Sequence, residues 1–198
     1  MIELTEISKE RPYLIFEQFY ELALKKSQKN IDAICISSFS KKLNEVSARF
    51  VNLKIIKDKE FIFFSNYNSP KANDFQGHNQ ITALIYWNEI NIQIRLKAII
   101  KKTNRDFNVS YFKKRDKYKN ALAISSSQSE IISSYKEVSE SYLKSLSSND
   151  LYICPDFWGG YSFTPYYFEF WEGHESRLNK REVYKKNNNH WDHFILQP

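Results

Sequence analysis

The stretch that decides the fold reads Phe157-Trp-Gly-Gly160, Phe168-Glu-Phe-Trp-Glu-Gly173, Glu175-Ser-Arg-Leu-Asn-Lys-Arg181 and Trp191-Asp-His-Phe-Ile-Leu-Gln-Pro198. In it, Arg177 and Arg181 stand four residues apart, just after an aromatic strand pattern. Guanidinium groups bind phosphate and carboxylate through paired hydrogen bonds, and the indole of Trp171 offers a flat surface. On a regular strand, residues four apart share one face, so Arg177 and Arg181 are expected to reach two neighbouring ligands. These motifs predict a site for a planar, anionic ligand.

Outward from this stretch, apolar alternation and turn residues predict short strands with helices inserted between them. Strands are expected at 33–38, 46–56, 61–65, 81–87, 90–100, 160–163, 167–171, 181–185 and 191–196, and helices at 12–26, from Ser69, from Thr103 through Phe112 and from Ser127 through Tyr142, with a loop from Ser145 to Asp150. Adjacent strands joined by short turns pair antiparallel, and apolar runs such as 61–64 are typical of a barrel. We therefore predict a mainly β barrel with inserted helices, one domain over residues 1–198, and a flexible N-terminal segment over residues 1–11.

Composition narrows the class of protein. Of 198 residues, 42% are hydrophobic and 16% aromatic, which favours a packed core over disorder. The net charge of +6 suits an anionic partner, but the basic residues are spread along the chain, which favours a basic pocket over a nucleic-acid surface. No run approaches the ~18 apolar residues of a membrane span, and the acidic N-terminus lacks the apolar core of a secretion signal.

The cysteines and histidines add two further expectations. Cys35 and Cys154 lack CxxC spacing, so we expect reduced thiols in a cytoplasmic protein. His78 and His174 are isolated, and His190 and His193 fall on opposite faces of a predicted strand, so no metal site is expected.

Two motifs in the first half of the chain offer cationic side chains. In Arg49-Phe-Val-Asn-Leu-Lys54, Arg49 shares a strand face with Leu53, whereas Lys54 faces the other way unless a bulge intervenes. In Phe64-Ser-Asn-Tyr-Asn-Ser-Pro-Lys71, a helix N-terminus carries hydroxyl groups and a lysine. That segment is either a phosphate cradle or an ordinary helix capped by Ser69.

Three further positions are ambiguous by themselves. Gln93 lies between two isoleucines, so it either needs ligand partners in a buried place or faces outward. Tyr111 and Arg115 are four apart and would share a helical face. The pair Gln128-Ser129 belongs to a predicted capping box.

In order and spacing, these motifs resemble the pyridoxine/pyridoxamine 5'-phosphate oxidase family, FMN enzymes of the split-barrel fold. The family's C-terminal pattern is roughly W-G-G, E-F-W-x-G, R-L-H-D-R, then W and L-x-P, and the resemblance runs from about Pro12 to Pro198. It implies a six-stranded antiparallel split barrel. It also implies a homodimer with FMN at the interface, in which both chains complete each site.

The resemblance assigns roles to individual residues. It implies FMN contacts for Arg49, Lys54, Phe64, Ser65, Lys71, Gln93, Gln128, Ser129, Trp171 and Arg181. It implies substrate contacts for Lys54, Tyr111, Arg115, Lys119, Arg177 and Asn179, of which Arg177 and Asn179 would lie over the substrate ring as the catalytic pair.

The chain departs from the family pattern at five motif positions, one of which is Asn52, where family members mostly have an aliphatic residue. Pro70 replaces an arginine of the phosphate cradle, Lys119 replaces a serine, Asn179 replaces a histidine and Lys180 replaces an aspartate. With Pro70 in place of the arginine, one charge-assisted contact to the phosphate is lost. Asn179 cannot titrate near neutral pH as histidine can.

The function implied is oxidation of pyridoxine or pyridoxamine 5'-phosphate to pyridoxal 5'-phosphate, with oxygen as acceptor and hydrogen peroxide as product. Two alternatives stay open: a divergent FMN-dependent enzyme acting on another ring, as in the phenazine-biosynthesis relatives, or a non-catalytic flavin- or vitamer-binding protein. Lys54, Tyr111 and Arg115 favour a phosphorylated substrate, whereas Lys119 and Asn179 favour divergence.

Overall fold

The computed structural model describes residues 1–148 and 150–198. In chain order the elements are β1 (Glu3–Thr5), α1 (Arg11–Lys25), β2 (Ala33–Ser40), β3 (Glu45–Lys57), β4 (Glu60–Asn66), α2 (Pro70–Gly77), β5 (Gln80–Trp87), a 3-10 turn (Asn88–Ile90), β6 (Ile92–Lys102), α3 (Arg105–Lys114), α4 (Lys117–Ser125), α5 (Tyr135–Ser148), β7 (Trp158–Glu172), β8 (Lys180–Asn187) and β9 (His190–Ile195).

Six of these strands close into an antiparallel ring. The order is β3-β2-β5-β6-β7, and β4 pairs with both β7 and β3 to complete the circuit. Outside the ring, β8 pairs with β7 and β9 pairs with β8. The predicted split barrel with inserted helices is confirmed.

Aromatic side chains fill the ring and hold α1 against it. Phe61 stacks on Phe163 with ring centroids 5.3 Å apart, and both side chains are fully buried. From α1, Phe16 meets Phe61 edge-on at 5.1 Å and Tyr13 meets Phe168 at 5.0 Å. Full burial of each such ring stabilises the fold by roughly 1.5–3 kcal/mol, which explains the amphipathic pattern of α1.

Strand β7 is continuous, where two separate strands were predicted at 160–163 and 167–171. Its first part pairs with β4 and its last part with β8, while β6 pairs along most of its length. A register shift between Lys97 and Ala98 of β6 leaves Tyr166 of β7 as the extra residue, next to Pro165. A bulge tolerates proline inside a strand, so Pro165 bends β7 without ending it.

The N-terminal segment contradicts the expectation that residues 1–11 are flexible. Strand β1 pairs in parallel with the end of β3, and Ile2 and Ile7 are each 5% exposed. The backbone N–H of Ile2 donates to the Tyr20 hydroxyl at 2.8 Å, and that hydroxyl donates to the Ile2 carbonyl at 3.2 Å. The segment is ordered because its isoleucines join the core and its backbone pairs with an existing strand edge.

Two predicted helix starts were wrong. Asn104 rather than Thr103 caps α3, accepting from the Phe107 N–H at 2.8 Å. The helix expected from Ser127 begins only at Tyr135, because Ser129 has a left-handed φ of 72° and the segment from Ser127 forms a turn.

Two further helix boundaries differ from the predictions. Helix α4 was not predicted separately; Asp116 caps it by accepting from the N–H groups of Tyr118 and Lys119. The loop predicted from Ser145 is helical as far as Ser148, and Asn149 lies outside the described residues.

The paired glycines at the start of β7 are explained by close packing. A Cβ atom on Gly159 would lie 2.2 Å from the Tyr67 hydroxyl and 2.4 Å from Asn108 Nδ2. A Cβ on Gly160 would lie 2.6 Å from Thr103 Oγ1. Tyr67, Thr103 and Asn108 form a hydrogen-bonded network with the Gly160 backbone, so α3 is held directly against β7.

We expect Gly159→Ala to lower the free energy of unfolding by about 1–3 kcal/mol, because the added methyl overpacks this network. Gly77→Ala is the matched control, since nothing lies within 4 Å of a Cβ built there. Urea unfolding followed by circular dichroism measures both variants. Equal stability of the two would show that the network does not require glycine.

Candidate functional site

A cavity of about 540 Å³ opens beside the ring, bordered by β3, β4, the start of α2 and the α3–α4 region. It gathers ten of the residues that the sequence singled out: Arg49, Lys54, Phe64, Ser65, Lys71, Tyr111, Arg115, Lys119, Gln128 and Ser129. These residues come from four separate parts of the chain, and only the fold brings them together.

One end of the cavity centres on the buried ammonium group of Lys71. Lys71 Nζ donates to Gln128 Oε1 at 2.9 Å and to Ser69 Oγ at 3.1 Å, and Ser65 Oγ donates to the same Gln128 oxygen at 3.2 Å. Burial, together with the nearby positive charge of Arg49, lowers the pKa of Lys71 to about 8. A cation held among neutral oxygens and beside another cation is a receptor for an anion.

Arg49 is oriented from behind by a buried pair of side chains. Its Nη1 donates to Ser38 Oγ at 2.7 Å, and Ser38 donates to Asp74 Oδ2 at 2.7 Å. The Asp74 carboxylate lies 3.9 Å from Arg49 Nη2, so it balances part of the charge. Ser69 occupies the N-cap position of α2, but its hydroxyl donates to the Asn66 carbonyl rather than capping a helix N–H, so the expected side-chain cap is absent.

A bulge in β3 settles the orientation of Lys54. The pairing with β4 shifts between Leu53 and Ile55, which leaves Lys54 as the extra residue. Both Arg49 and Lys54 therefore line the cavity, although regular alternation would separate them. Lys54 Nζ is held by Asp32 Oδ2 at 2.5 Å.

The other end of the cavity is aromatic and basic. Tyr111 stacks on Phe64 with ring centroids 3.8 Å apart, and the Arg115 guanidinium lies 5.1 Å from the centre of the Trp158 ring. Burial lowers the pKa of Arg115. Tyr111 on α3 and Arg115 at its C-cap both line the cavity, which agrees with the expectation that residues four apart share a helical face.

Charge distinguishes this cavity from the rest of the surface. Arg49, Lys54, Lys71, Arg115 and Lys119 line it, and no aspartate or glutamate does so among the residues that the structure describes. Nearby like charges in a concave site raise the local positive potential and attract anions. The cavity therefore suits an aromatic ligand that carries negative charge.

Five predicted site residues lie outside the cavity of their own chain: Gln93, Trp171, Arg177, Asn179 and Arg181, here termed the outer group. Three of them form one row across adjacent strands, since Gln93 pairs with Trp171 and Trp171 pairs with Arg181. Directly opposed residues share a sheet face. Because the neighbouring Ile92, Ile94 and Phe170 point into the core, the row faces outward.

The remaining two members of the outer group lie between β7 and β8. The expectation that Arg177 and Arg181 share a strand face was wrong, because β8 begins only at Lys180 and Arg177 has a left-handed φ of 60°. The Arg177 N–H donates to the His174 carbonyl at 2.9 Å. Asn179 Oδ1 accepts from the His174 N–H at 3.0 Å, so its side chain folds this connection.

Sequence reasoning left out three residues that shape these surfaces. Trp158 lines the cavity, and fully buried Asn120 accepts from Arg115 Nη1 at 3.2 Å. Glu169, which is 3% exposed, binds Arg181 in the outer group. Trp158 belongs to the motif 157–160 and Glu169 to the motif 168–173. An acidic residue among aromatic strand residues indicates a buried ion pair, and this signal could have identified Glu169.

Known proteins match both the sequence and the fold. Residues 158–198 match the family model described as the pyridoxine 5'-phosphate oxidase C-terminal dimerisation region. The chain is 34% identical over 193 residues to pyridoxine/pyridoxamine 5'-phosphate oxidase 1 of Hydrogenovibrio crunogenus, covering 94% of this chain and 88% of the relative. It is 30% identical to the Rhodopirellula baltica enzyme of that family, covering 96% and 87%. The chain belongs to the pyridoxine/pyridoxamine 5'-phosphate oxidase family.

Two solved structures support the fold of this family member. PhzG from Burkholderia lata 383, in complex with tetrahydrophenazine-1-carboxylic acid, superposes with a TM-score of 0.90 at 21% identity over 96% of this chain and 93% of its own. A pyridoxamine 5'-phosphate oxidase-related, FMN binding protein from Nostoc punctiforme PCC 73102 gives a TM-score of 0.77 at 11% identity, over 92% and 97%. At these identities the likeness establishes the split barrel and nothing about the substrate.

Two kinds of feature are absent from residues 1–148 and 150–198. None of their helices is long and apolar enough to cross a membrane. No group of three or more His, Cys, Asp or Glu side chains there is arranged to hold a metal ion.

The lowered pKa of Lys71 makes phosphate affinity depend on pH. A phosphate monoester such as FMN is a dianion above about pH 7, whereas Lys71 loses its proton around pH 8. We expect the affinity for FMN to fall about tenfold between pH 7 and pH 9, because one proton must be bound for the ion pair to form. Fluorescence titration of added FMN at each pH measures this.

Lys71→Arg is the control for this prediction, because a guanidinium stays charged throughout the range. Its affinity for FMN should be flat between pH 7 and pH 9. An equal decline in wild type and Lys71→Arg would mean that another group titrates.

Proposed function

We propose that this protein is an FMN-dependent oxidase that converts pyridoxine or pyridoxamine 5'-phosphate to pyridoxal 5'-phosphate, with oxygen as electron acceptor. The observation that carries the proposal is the cavity itself. In a member of this family, it combines five lining cations, stacked aromatic rings and no lining carboxylate among the described residues. The proposal includes a single domain over residues 1–198 and a cytoplasmic location, which suits the free thiols of Cys35 and Cys154.

The residues at the Lys71 end fit the phosphate of FMN. Arg49 and Lys71 supply two cations, and the Ser65 hydroxyl and Gln128 amide supply polar contacts around them. When bound, FMN supplies a two-electron acceptor for oxidation of the substrate. The protein would contribute mainly by holding the substrate ring against the bound flavin ring, because correct orientation by itself removes much of the activation barrier.

The residues at the other end suit the substrate phosphate. Arg115, Lys119 and Tyr111 offer two charges and a hydroxyl, and Lys54 stands between the two ends in the proposed arrangement. The Arg115 guanidinium is held in place by the Lys119 carbonyl at 3.1 Å and by Asn120. A pre-oriented guanidinium binds phosphate with less loss of side-chain entropy.

We further propose a homodimer in which the outer group of one protomer completes the cavity of the other. The outer group lies outside its own cavity, and four of its five residues fall within residues 158–198, which match a dimerisation region. On the outer sheet face, Phe50 and Tyr86 are 74% and 55% exposed, which is unusual for large apolar side chains that stay in water.

A second candidate is an FMN-dependent enzyme that acts on another ring. The departures at Lys119 and Asn179 favour it, because the Asn179 amide cannot exchange a proton near neutral pH and is already bonded to the His174 backbone. A non-catalytic flavin- or vitamer-binding protein is the third. Turnover separates the candidates.

We expect the purified protein to carry or bind FMN and to release hydrogen peroxide with either vitamer phosphate. Mass spectrometry of the released cofactor and a coupled peroxide assay measure the two outcomes. Recovery of FAD, or no FMN binding at micromolar concentration, would contradict the cofactor assignment. Full FMN binding with no turnover of either vitamer would move the assignment to the alternatives.

Mixed dimers test whether two chains share each site. Arg115→Ala impairs the cavity and Arg177→Ala impairs the outer group, so each homodimer should be nearly inactive. Random mixing should restore about a quarter of wild-type activity, because half of the dimers are mixed and each has one intact site. Mixing Arg115→Ala with Lys119→Ala, both cavity variants, should give no more than the mean activity of the two homodimers. Equal recovery in both mixtures would exclude the shared site.

The two departures should affect different kinetic constants. We expect low wild-type turnover, an increase in kcat in Asn179→His, and mainly a change of KM in Lys119→Ser, because a phosphate contact remote from the reacting carbon acts on binding. Steady-state kinetics with both vitamer phosphates measures this. Inactivity of the wild type and of the double variant, with FMN bound, would place the substrate elsewhere.

A further inference from the structure

Glu169 is a buried carboxylate between two arginines on the outer sheet face. Its Oε1 accepts from Arg181 Nε at 3.0 Å and from Arg181 Nη2 at 2.8 Å. Its Oε2 accepts from Arg95 Nε at 3.1 Å, from Arg95 Nη2 and from the Tyr167 hydroxyl at 2.9 Å. Both carboxylate oxygens are therefore fully engaged, in a side chain that is 3% exposed.

The hydrogen bonds to Glu169 fix the orientation of the Arg95 and Arg181 side chains. Burial by itself would raise the pKa of Glu169, but hydrogen bonds from Arg95, Arg181 and Tyr167 outweigh burial and lower it. The carboxylate thus stays charged at neutral pH. Each arginine donates its Nε and Nη2 N–H groups to one carboxylate oxygen, and these charge-assisted bonds hold each guanidinium group toward Glu169.

The orientation of Arg181 matters because this residue belongs to the row that Gln93, Trp171 and Arg181 form on the outer sheet face. Arg181 is paired across the strands with Trp171, and Trp171 with Gln93, so one row presents an indole, an amide and a guanidinium. Besides the two bonds to Glu169, Arg181 Nη1 donates to the Gln197 carbonyl at 2.9 Å. The guanidinium is therefore clamped on two sides, and two of its five N–H groups are left for a ligand.

We propose that Glu169 is a positioning residue of the flavin site: it holds the Arg181 guanidinium beside Trp171 in the orientation that a bound flavin requires. The inference rests on the proposed function, since it gives Arg181 a flavin to bind. Glu169 acts through Arg181 and touches no ligand. Its carboxylate also neutralises one of the two guanidinium charges, which lowers the electrostatic cost of placing Arg95 and Arg181 together on one face.

The test measures FMN affinity in Glu169→Gln, alone and combined with Arg181→Ala. Glutamine keeps the shape of the side chain and removes its charge. We expect about a tenfold weaker affinity for FMN in Glu169→Gln than in wild type, and no further weakening when the change is added to Arg181→Ala. A purely structural role would weaken affinity equally in both backgrounds, and that result would overturn the proposal.

Glu172→Gln is the matched control, because Glu172 lies on the same strand and pairs with Lys180 of β8 in a more exposed ion pair. It should leave the affinity for FMN unchanged. If Glu169→Gln does not fold, Glu169→Asp keeps the charge but shortens the reach; it should weaken FMN binding in wild type and not in Arg181→Ala. Unchanged affinity in every Glu169 variant would overturn the inference alone, whereas no FMN binding by wild type would overturn the proposed function with it.

Discussion

Strand β7 is the element on which the rest of the structure depends. It closes the ring through its pairing with β4, and its far end carries β8. The register of β7 is set by neighbours on both sides, with β6 along one side and β4 and β8 along the other. Trp158 at one end of this strand lines the cavity, and Glu169 and Trp171 near the other end support the outer group. The register of β7 therefore positions residues of both the cavity and the outer group. Gly159 and Gly160 let α3 pack closely enough against β7 to form the cavity.

The charge of the cavity has a cost in stability that a ligand offsets. Lys71 is buried beside Arg49, and its pKa is about 8 in the folded chain, below the value of an exposed lysine. Between pH 8 and pH 10.5 the unfolded chain binds more protons at this position, so the contribution of Lys71 to stability rises with pH. An anionic ligand opposes this effect, because it favours the charged lysine and raises its pKa in the folded chain. Binding to the folded state alone stabilises the protein by RT ln(1 + [L]/Kd).

The likeness to known proteins shows the family and the fold of this chain, but not its substrate. The sequence likeness extends over almost the whole chain, and the fold superposes on PhzG with a TM-score of 0.90 at only 21% identity. A likeness in fold at this identity says nothing about the substrate, so the site residues must decide the chemistry. The distinguishing positions here are Lys119, which lines the cavity, and Asn179, which lies in the outer group. They lie in different parts of one protomer, and the proposed dimer would bring them together in one site, so their effects are expected to be coupled.

The sequence by itself indicated the ring strands, because alternation is a local property that it displays directly, and its resemblance to the oxidase family singled out the ten residues that the fold brings together in the cavity. It did not determine β1, a three-residue strand that exists only because the edge of β3 accepts it. Nor did it determine that α5 starts at Tyr135, since the left-handed backbone of Ser129 follows from its surroundings. The orientation of Lys54 depended on a bulge, which arises from the pairing of β3 with β4. Only the tertiary structure separated the outer group from the cavity, because strand partners and registers are chosen by contacts between residues distant in sequence.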